Sequence, residues 1–206
     1  DRAEPRREVL SLLWRHCEGT FRRPGRDYLR YGAGVSGDVR EVPVGGRTVR
    51  ISSASRLVFP EVGLTKGDIA SYYAAVAPRM LKILRDRPTT LERWPKGVLP
   101  GMSLGEDGFY QKRIPKGAPA WVESVEITFP SGRSAREVCP TEEAVMVWAA
   151  QIGTVTFHPW PVTRADVEHP DELRLDFDPQ PGTDFSDCVT AALAARTLMQ
   201  ELGWDC

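Results

Sequence analysis

No stretch of this 206-residue chain approaches the roughly 20 consecutive apolar residues that a membrane-crossing helix needs, and no secretory leader pattern is present. Cysteine is scarce and scattered. Cys17, Cys139, Cys188 and Cys206 form no C-x-x-C pair and no zinc spacing, so they read as free thiols in a reducing compartment, with the cytoplasm as the expected location. The chain also lacks a G-x-x-x-x-G-K-[ST] phosphate loop and a G-x-S-x-G elbow, which disfavours P-loop ATP hydrolysis and serine hydrolysis. A net charge of −1 removes the simplest signature of a nucleic-acid binder. Lysine is confined to five positions between Lys66 and Lys116.

What is present supports one ordinary domain: 41% hydrophobic residues and six tryptophans supply a core. Charge is unevenly spread. The lysine-bearing middle of the chain would suit substrate phosphates and the strongly acidic segment from Asp166 to Asp187 metal ions, the alternative being two ordinary solvated surfaces.

The most informative residues are Asp176 and Asp178, within Leu173-Arg174-Leu175-Asp176-Phe177-Asp178-Pro179. Apolar and polar residues alternate, the period of a half-buried strand, which predicts Leu175 and Phe177 facing the core and both carboxylates on the other face. At a rise of roughly 3.3 Å per residue their Cα atoms would stand about 6.5 Å apart. Such a carboxylate pair suits Mg²⁺ or Mn²⁺, and a two-metal phosphoryl-transfer site is bridged by carboxylates of this kind. The bland alternative is an acidic solvent face.

Around that pair, strands and helices follow one another without a steady βαβ beat, which predicts an α+β fold. Residues 1–37 read as an arginine-rich leader or linker, with one short helix over Arg6 to Cys17, ahead of a domain over 38–206. Glu41–Val44, a Gly45-Gly46 turn and Arg47–Ser52 predict a hairpin. Thr65 with Asp68 three residues on predicts a capped helix through Met80, kinked or split at Pro78. The stretch from Arg87 to Lys116 predicts strands joined by long loops. Trp121–Phe129 and Thr154–His158 read as strands, Thr141-Glu142-Glu143 as the start of a helix to Gln151, and Thr183 or Asp184 as the start of a final helix ending at Gly203.

Several other residues carry chemistry. His158 stands at the end of a strand, before Pro159, where it serves either as a hydrogen-bond donor and proton-transfer group or as a structural histidine. Lys66 falls in the first turn of the Thr65-capped helix, near Arg56, so helix amides and lysine together could bind phosphate; the alternative is a solvated lysine. Phe109-Tyr110 precede Lys112-Arg113, and an exposed ring there could stack on a base.

Taken in order, Phe59-Pro60-Glu61 with Gly63-Leu64-Thr65-Lys66, Tyr72-Tyr73, Arg87-Pro88-Thr89, Arg93-Trp94-Pro95-Lys96-Gly97, Phe109-Tyr110-Gln111-Lys112, Pro115-Lys116-Gly117-Ala118-Pro119, His158-Pro159-Trp160 and Leu175-Asp176-Phe177-Asp178-Pro179 resemble the polymerase domain of bacterial DNA ligase D, in the archaeo-eukaryotic primase superfamily. The resemblance runs from about Val42 to Gly203 and implies a primase-polymerase-like mixed sheet with flanking helices. It also implies a template-directed, primer-extending nucleotidyltransferase that prefers ribonucleotides and acts on DNA ends and gaps in non-homologous end joining, with NTP or dNTP as substrate and Ku and a DNA ligase as partners. By resemblance Asp176 and Asp178 are the catalytic, metal-binding pair of a two-metal Mg²⁺ or Mn²⁺ site, and His158 lies near the incoming nucleotide's phosphates. Arg56 and Lys66 match the grip on the downstream 5′-phosphate, with Arg56 where a lysine is usual, and Phe109 and Tyr110 match the template contact. The family pattern continues with a Ser/Gly-rich motif ending in Gly-x-His and a third metal-binding aspartate. This sequence ends at Cys206 before both, so the expectation is a catalytic domain lacking its C-terminal part, with activity impaired accordingly.

Two further readings follow from the same residues. A non-catalytic DNA-end-binding module would need only Arg56, Lys66 and the aromatic pair. A metal-dependent phosphoesterase would use the aspartates to release nucleotides and add nothing to a primer.

Overall fold

In the computed structural model, residues 38–204 are described, and they fall into two compact units that divide after His169. The expected leader and its short helix lie outside the described residues.

The first unit opens with the hairpin expected from its turn. Strands β1 (Val39–Val44) and β2 (Arg47–Ser52) pair antiparallel in register from Val39↔Ser52 to Val44↔Arg47. Gly45 and Gly46 both take positive φ, 56° and 79°, the left-handed backbone a two-residue turn demands. A short ladder follows, β3 (Leu57–Phe59) with β4 (Leu64–Thr65), bridged by a single 3₁₀ turn over Pro60–Val62.

Helix α1 (Lys66–Leu84) starts where its cap is written. The Thr65 side chain accepts from the Asp68 amide at 3.2 Å, and the Asp68 carboxylate accepts from the Thr65 amide at 2.9 Å. Pro78 neither splits nor ends it. The proline is exposed, on the side where a carbonyl deprived of its partner can be hydrated, and the helix runs on to Leu84. Helix α2 (Ala144–Gln151) is apolar all round, and every residue from Ala144 to Ala150 is buried. Its expected cap is not used: Glu143 is the N-cap residue and makes no side-chain cap bond, while the Glu142 carboxylate instead pairs with Arg47.

The second layer is one five-stranded antiparallel sheet. Strand β5 (Thr89–Arg93) is central, with β9 (Thr154–Pro159) along one side and β6 (Phe109–Gln111) along the other. Strand β8 (Ser134–Val138) joins β5 at Thr89↔Val138, and β7 (Ser124–Thr128) completes the sheet. Leu91 and Phe157 look toward the helices, where Tyr73 of α1 stands edge-on to Phe157 with ring centroids 5.4 Å apart. The Tyr73 hydroxyl donates to Val155 O at 2.8 Å, and burial raises its ionisation well above the ordinary phenol range. The core thus joins the hairpin valines, α1, α2 and the centre of the sheet in one cluster.

Gly97, in the loop after β5, sits at φ +93°, and a Cβ there would lie 2.9 Å from Leu57 O and 3.0 Å from Val58 O. Gly97→Ala is therefore expected to destabilise the fold by about 1–3 kcal/mol, read as a lower denaturant midpoint.

The second unit contains helix α3 (Phe185–Glu201), capped by Asp184 in a reciprocal box with Asp187. Here one expectation fails. The segment Leu173–Pro179 is not a strand: residues 172–180 carry no regular structure, and Leu175 is half exposed at 50%. The alternation is real, because Leu173, Leu175 and Phe177 line an apolar groove along α3 while Asp176 and Asp178 belong to a separate depression. A strand needs a neighbour to complete its backbone ladder, and no described segment pairs with this one.

Candidate nucleotide and phosphate site

The sheet face turned away from α1 and α2 carries the polar residues. In the ladder Thr90 is opposite His158, and Glu92 is flanked by Thr156 on β9 and by Tyr110 on β6. These side chains share a face because residues two apart on a strand, and residues directly paired across strands, point the same way. His158 Nε2 lies 3.2 Å from Glu92 Oε2, and Trp94 Nε1 donates to Glu92 Oε1 at 2.7 Å. The Tyr110 ring stands edge-on to the imidazole, with centroids 5.3 Å apart and planes at 84°. Farther along the same face, Glu137 is fully buried. Thr90 Oγ1 donates to its Oε2 at 2.8 Å and Trp160 Nε1 to the same oxygen at 3.3 Å. Burial pushes this carboxyl above its ordinary range, against the two donors and Lys112, which lower it.

The two expected aromatics separate as adjacent strand residues should. Tyr110 (48% exposed) joins His158, while Phe109 (40% exposed) lies beneath the Arg93 guanidinium, 5.3 Å from its centroid, on the opposite face. Arg93 is itself fixed by Ile152 O and Gln111 Oε1, each at 2.8 Å. Both rings offer surface, but not to the same side of the sheet.

Arg56 and Lys66 come together at the start of α1, although not as a solvated pair. Lys66 is 5% exposed, and its Nζ donates to Ser52 O at 2.8 Å. Ser52 is held in turn by Gln151, whose amide oxygen accepts from Ser52 N at 2.9 Å. Burial, then the nearby Arg56 charge, lower the Lys66 ammonium to about 8, with Asp38 opposing the shift. The Arg56 guanidinium donates through Nη1 to Pro95 O, and its buried Nε finds no hydrogen-bond partner among the described residues.

The helix amides do not serve as expected. Lys66 N donates to Arg56 O and Gly67 N to Ala54 O, each at 2.8 Å, while Asp68 N goes to Thr65. The first amides of the helix are thus already engaged, and the polar groups left at this end are the two side chains.

Asp176 and Asp178 lie in the second unit, His158, Arg56, Lys66, Phe109 and Tyr110 in the first. The aspartates share their depression with Gln180, Thr183 and Asp187. Neither carboxylate accepts a hydrogen bond or forms an ion pair among the described residues, whereas Asp187 is engaged by the Asp184 amide at 2.9 Å. Two unencumbered hard oxygen donors fit a divalent cation such as Mg²⁺ or Mn²⁺. No cluster of three or more His, Cys, Asp or Glu side chains able to hold an ion occurs among the described residues. None of the described helices is long and apolar enough to cross a membrane.

Sequence reasoning missed Glu92, whose partnership with His158 spans 66 positions and becomes visible only through the β5–β9 register. It also missed Glu137, an acid inside an otherwise ordinary alternating strand.

Comparison with known proteins adds the following. The family model described as LigD, primase-polymerase domain, matches residues 65–206. The multifunctional non-homologous end joining protein LigD of Mycolicibacterium smegmatis is 30% identical over 156 residues, covering 75% of this chain and 20% of that protein. Its Pseudomonas aeruginosa counterpart is 32% identical over 155 residues, covering 75% and 18%. The polymerase domain from Mycobacterium tuberculosis ligase D, solved in complex with DNA, matches with a TM-score of 0.62 at 28% identity, over 75% of this chain and 54% of that one. The chain thus spans about a fifth of the length of these curated relatives.

Proposed function

This chain belongs to the LigD primase-polymerase family, and from that premise we propose that it is a template-directed nucleotidyltransferase acting on DNA ends and gaps in non-homologous end joining. The observation that carries the reading is a family match that takes in Lys66, Tyr110, His158 and both aspartates in one continuous span. Arg56 lies outside that span and enters through its contact with the Lys66 end of α1.

Each group then has a task. Lys66 and Arg56 bind the 5′-phosphate of the downstream strand by charge, in a place where a buried ammonium is inadequately compensated and gains from an anion. Tyr110 and Phe109 offer ring surface to template bases, worth roughly 1–3 kcal/mol per stacked base. His158 meets the phosphates of the incoming nucleotide. Asp176 and Asp178 would hold Mg²⁺ or Mn²⁺, which when bound lowers the barrier by stabilising charge on the phosphate oxygens. NTP or dNTP is the nucleotide substrate, and Ku and a DNA ligase are the proposed partners.

A second reading, a DNA-end-binding module without synthesis, is favoured by one specific observation: the Lys66–Arg56 pair is preformed in the first unit without any contribution from the aspartates. Primer extension on a gapped duplex with Mn²⁺ and mixed NTPs separates the two. Extension, reduced about tenfold or more when the gap carries 5′-hydroxyl in place of 5′-phosphate, is the result expected of the polymerase. Phosphate-dependent binding without extension is the result expected of the module.

A further inference from the structure

We propose that Glu92 is the positioning residue for His158: it holds the imidazole with its proton on Nε2 and leaves Nδ1 as the ring nitrogen offered to a phosphate oxygen of the nucleotide. The assignment follows from donor counting. Glu92 Oε1 is engaged by Trp94 Nε1 at 2.7 Å and Oε2 by His158 Nε2 at 3.2 Å. An ionised carboxylate has only lone pairs to offer, so the hydrogen in the Glu92–His158 contact belongs to the imidazole, and one tautomer is selected.

The carboxylate is itself anchored. Its indole partner is buried, and Trp94 abuts Gly108 so closely that a Cβ there would lie 2.6 Å from Cε2 of the ring. Glu92 also sits on the central strand, between the strand bearing His158 and the strand bearing Tyr110, whose ring closes on the imidazole edge-on. Three adjacent strands therefore fix the histidine's position, orientation and proton. An anionic phosphate oxygen can be met at Nδ1 only with a second proton, which the solvent supplies to that nitrogen; the ring then lies between two anions and donates one hydrogen bond to each. Partners that orient a metal-ligating imidazole matter by about 10- to 100-fold, and an effect of that order is expected for this pair.

The test uses the whole chain labelled with ¹⁵N-histidine and long-range ¹H–¹⁵N spectra, with His158→Gln identifying the His158 signals. The expected result is a protonated Nε2 and unprotonated Nδ1 in the neutral ring, a preference lost in Glu92→Ala and weakened in Glu92→Gln. Trp94→Phe, which removes the other partner of Glu92, is expected to keep the Nε2 tautomer. In primer extension, Glu92→Ala is expected to raise the KM for NTP about 10- to 100-fold with end binding unchanged, and Glu92→Gln to recover part of the loss. A proton on Nδ1 in the unmodified chain, an unchanged tautomer in Glu92→Ala, or an unchanged KM would each overturn the proposal. Only the kinetic half rests on the nucleotidyl-transfer reading. The spectra need no substrate, so tautomer control without synthesis by any variant would count against that reading and not against the Glu92–His158 pair.

Discussion

Replacing Asp176 and Asp178 together with asparagine is expected to lower nucleotide addition by about a thousandfold or more while leaving the melting temperature and DNA-end binding unchanged. Metal-held charge stabilisation contributes several kcal/mol to phosphoryl transfer, and each 1.4 kcal/mol is a factor of ten in rate. The fold should be indifferent because neither carboxylate makes a hydrogen bond or ion pair among the described residues, and asparagine keeps the side-chain shape. End binding should survive because Arg56 and Lys66 belong to the other compact unit. Single-turnover extension, a thermal melt and a titration with a 5′-phosphorylated duplex together check all three parts. Retained addition would remove the aspartates from the chemistry.

Lys66→Met is expected to act in opposite directions on stability and on function. Lys66 is 5% exposed, shares its surroundings with Arg56, and its ammonium is brought down to about 8 from an ordinary 10.5. A lysine lowered on folding costs stability wherever the folded chain must still hold the charge. That cost is full below pH about 8 and fades as pH rises toward the unfolded value of 10.5. The difference in unfolding free energy between the unmodified chain and Lys66→Met should therefore shift in favour of the unmodified chain by about 1–3 kcal/mol across that window. Taking the difference matters, because Cys139, raised by burial to about 12, contributes a trend of opposite sign at high pH in both proteins. Affinity for a 5′-phosphorylated end should fall about 10- to 100-fold in Lys66→Met, the worth of one charge-assisted hydrogen bond. In the unmodified chain that affinity should weaken as pH passes about 8, where the free lysine loses its proton. A pH-independent affinity would place the phosphate elsewhere.

The parts of this molecule that were legible in the sequence are those whose cause is local. Gly45-Gly46 can only be a tight turn between alternating strands, and Thr65 with Asp68 writes the start of α1 in four residues. Asp184 and Asp187 do the same for α3. What was illegible depends on distant partners. Leu173–Pro179 has the alternation of a strand, but alternation describes only the two sides of a ribbon and supplies no ladder. Thr141 has the chemistry of a cap, yet the neighbouring Glu142 is drawn to Arg47 on the hairpin, 95 positions away. The placement of Lys66 in the first turn of α1 was readable, but not its burial. The amides at that helix end are taken by Arg56 O and Ala54 O, and the ammonium is buried beside Arg56, which no local pattern announces. Glu92 sits among the basic and aromatic residues of Glu92-Arg93-Trp94-Pro95-Lys96-Gly97, and its meaning lies in strand register.

The two-sidedness of β5 carries the functional consequence. Leu91 secures the sheet against the helices, while Thr90 and Glu92 on its other face organise Glu137 and His158. The polar face is thus supported by the same strand that anchors the core, so the side chains on it are held in position without a separate scaffold.

Templated nucleotide addition is decided by single-nucleotide extension on four gapped duplexes that differ only in the templating base. Each duplex carries a 5′-phosphate at the gap and is offered the four NTPs one at a time with Mn²⁺. A template-directed enzyme adds the nucleotide complementary to the template base in all four duplexes. Addition that ignores the template, or phosphate-dependent binding with no addition to any of the four, would contradict it.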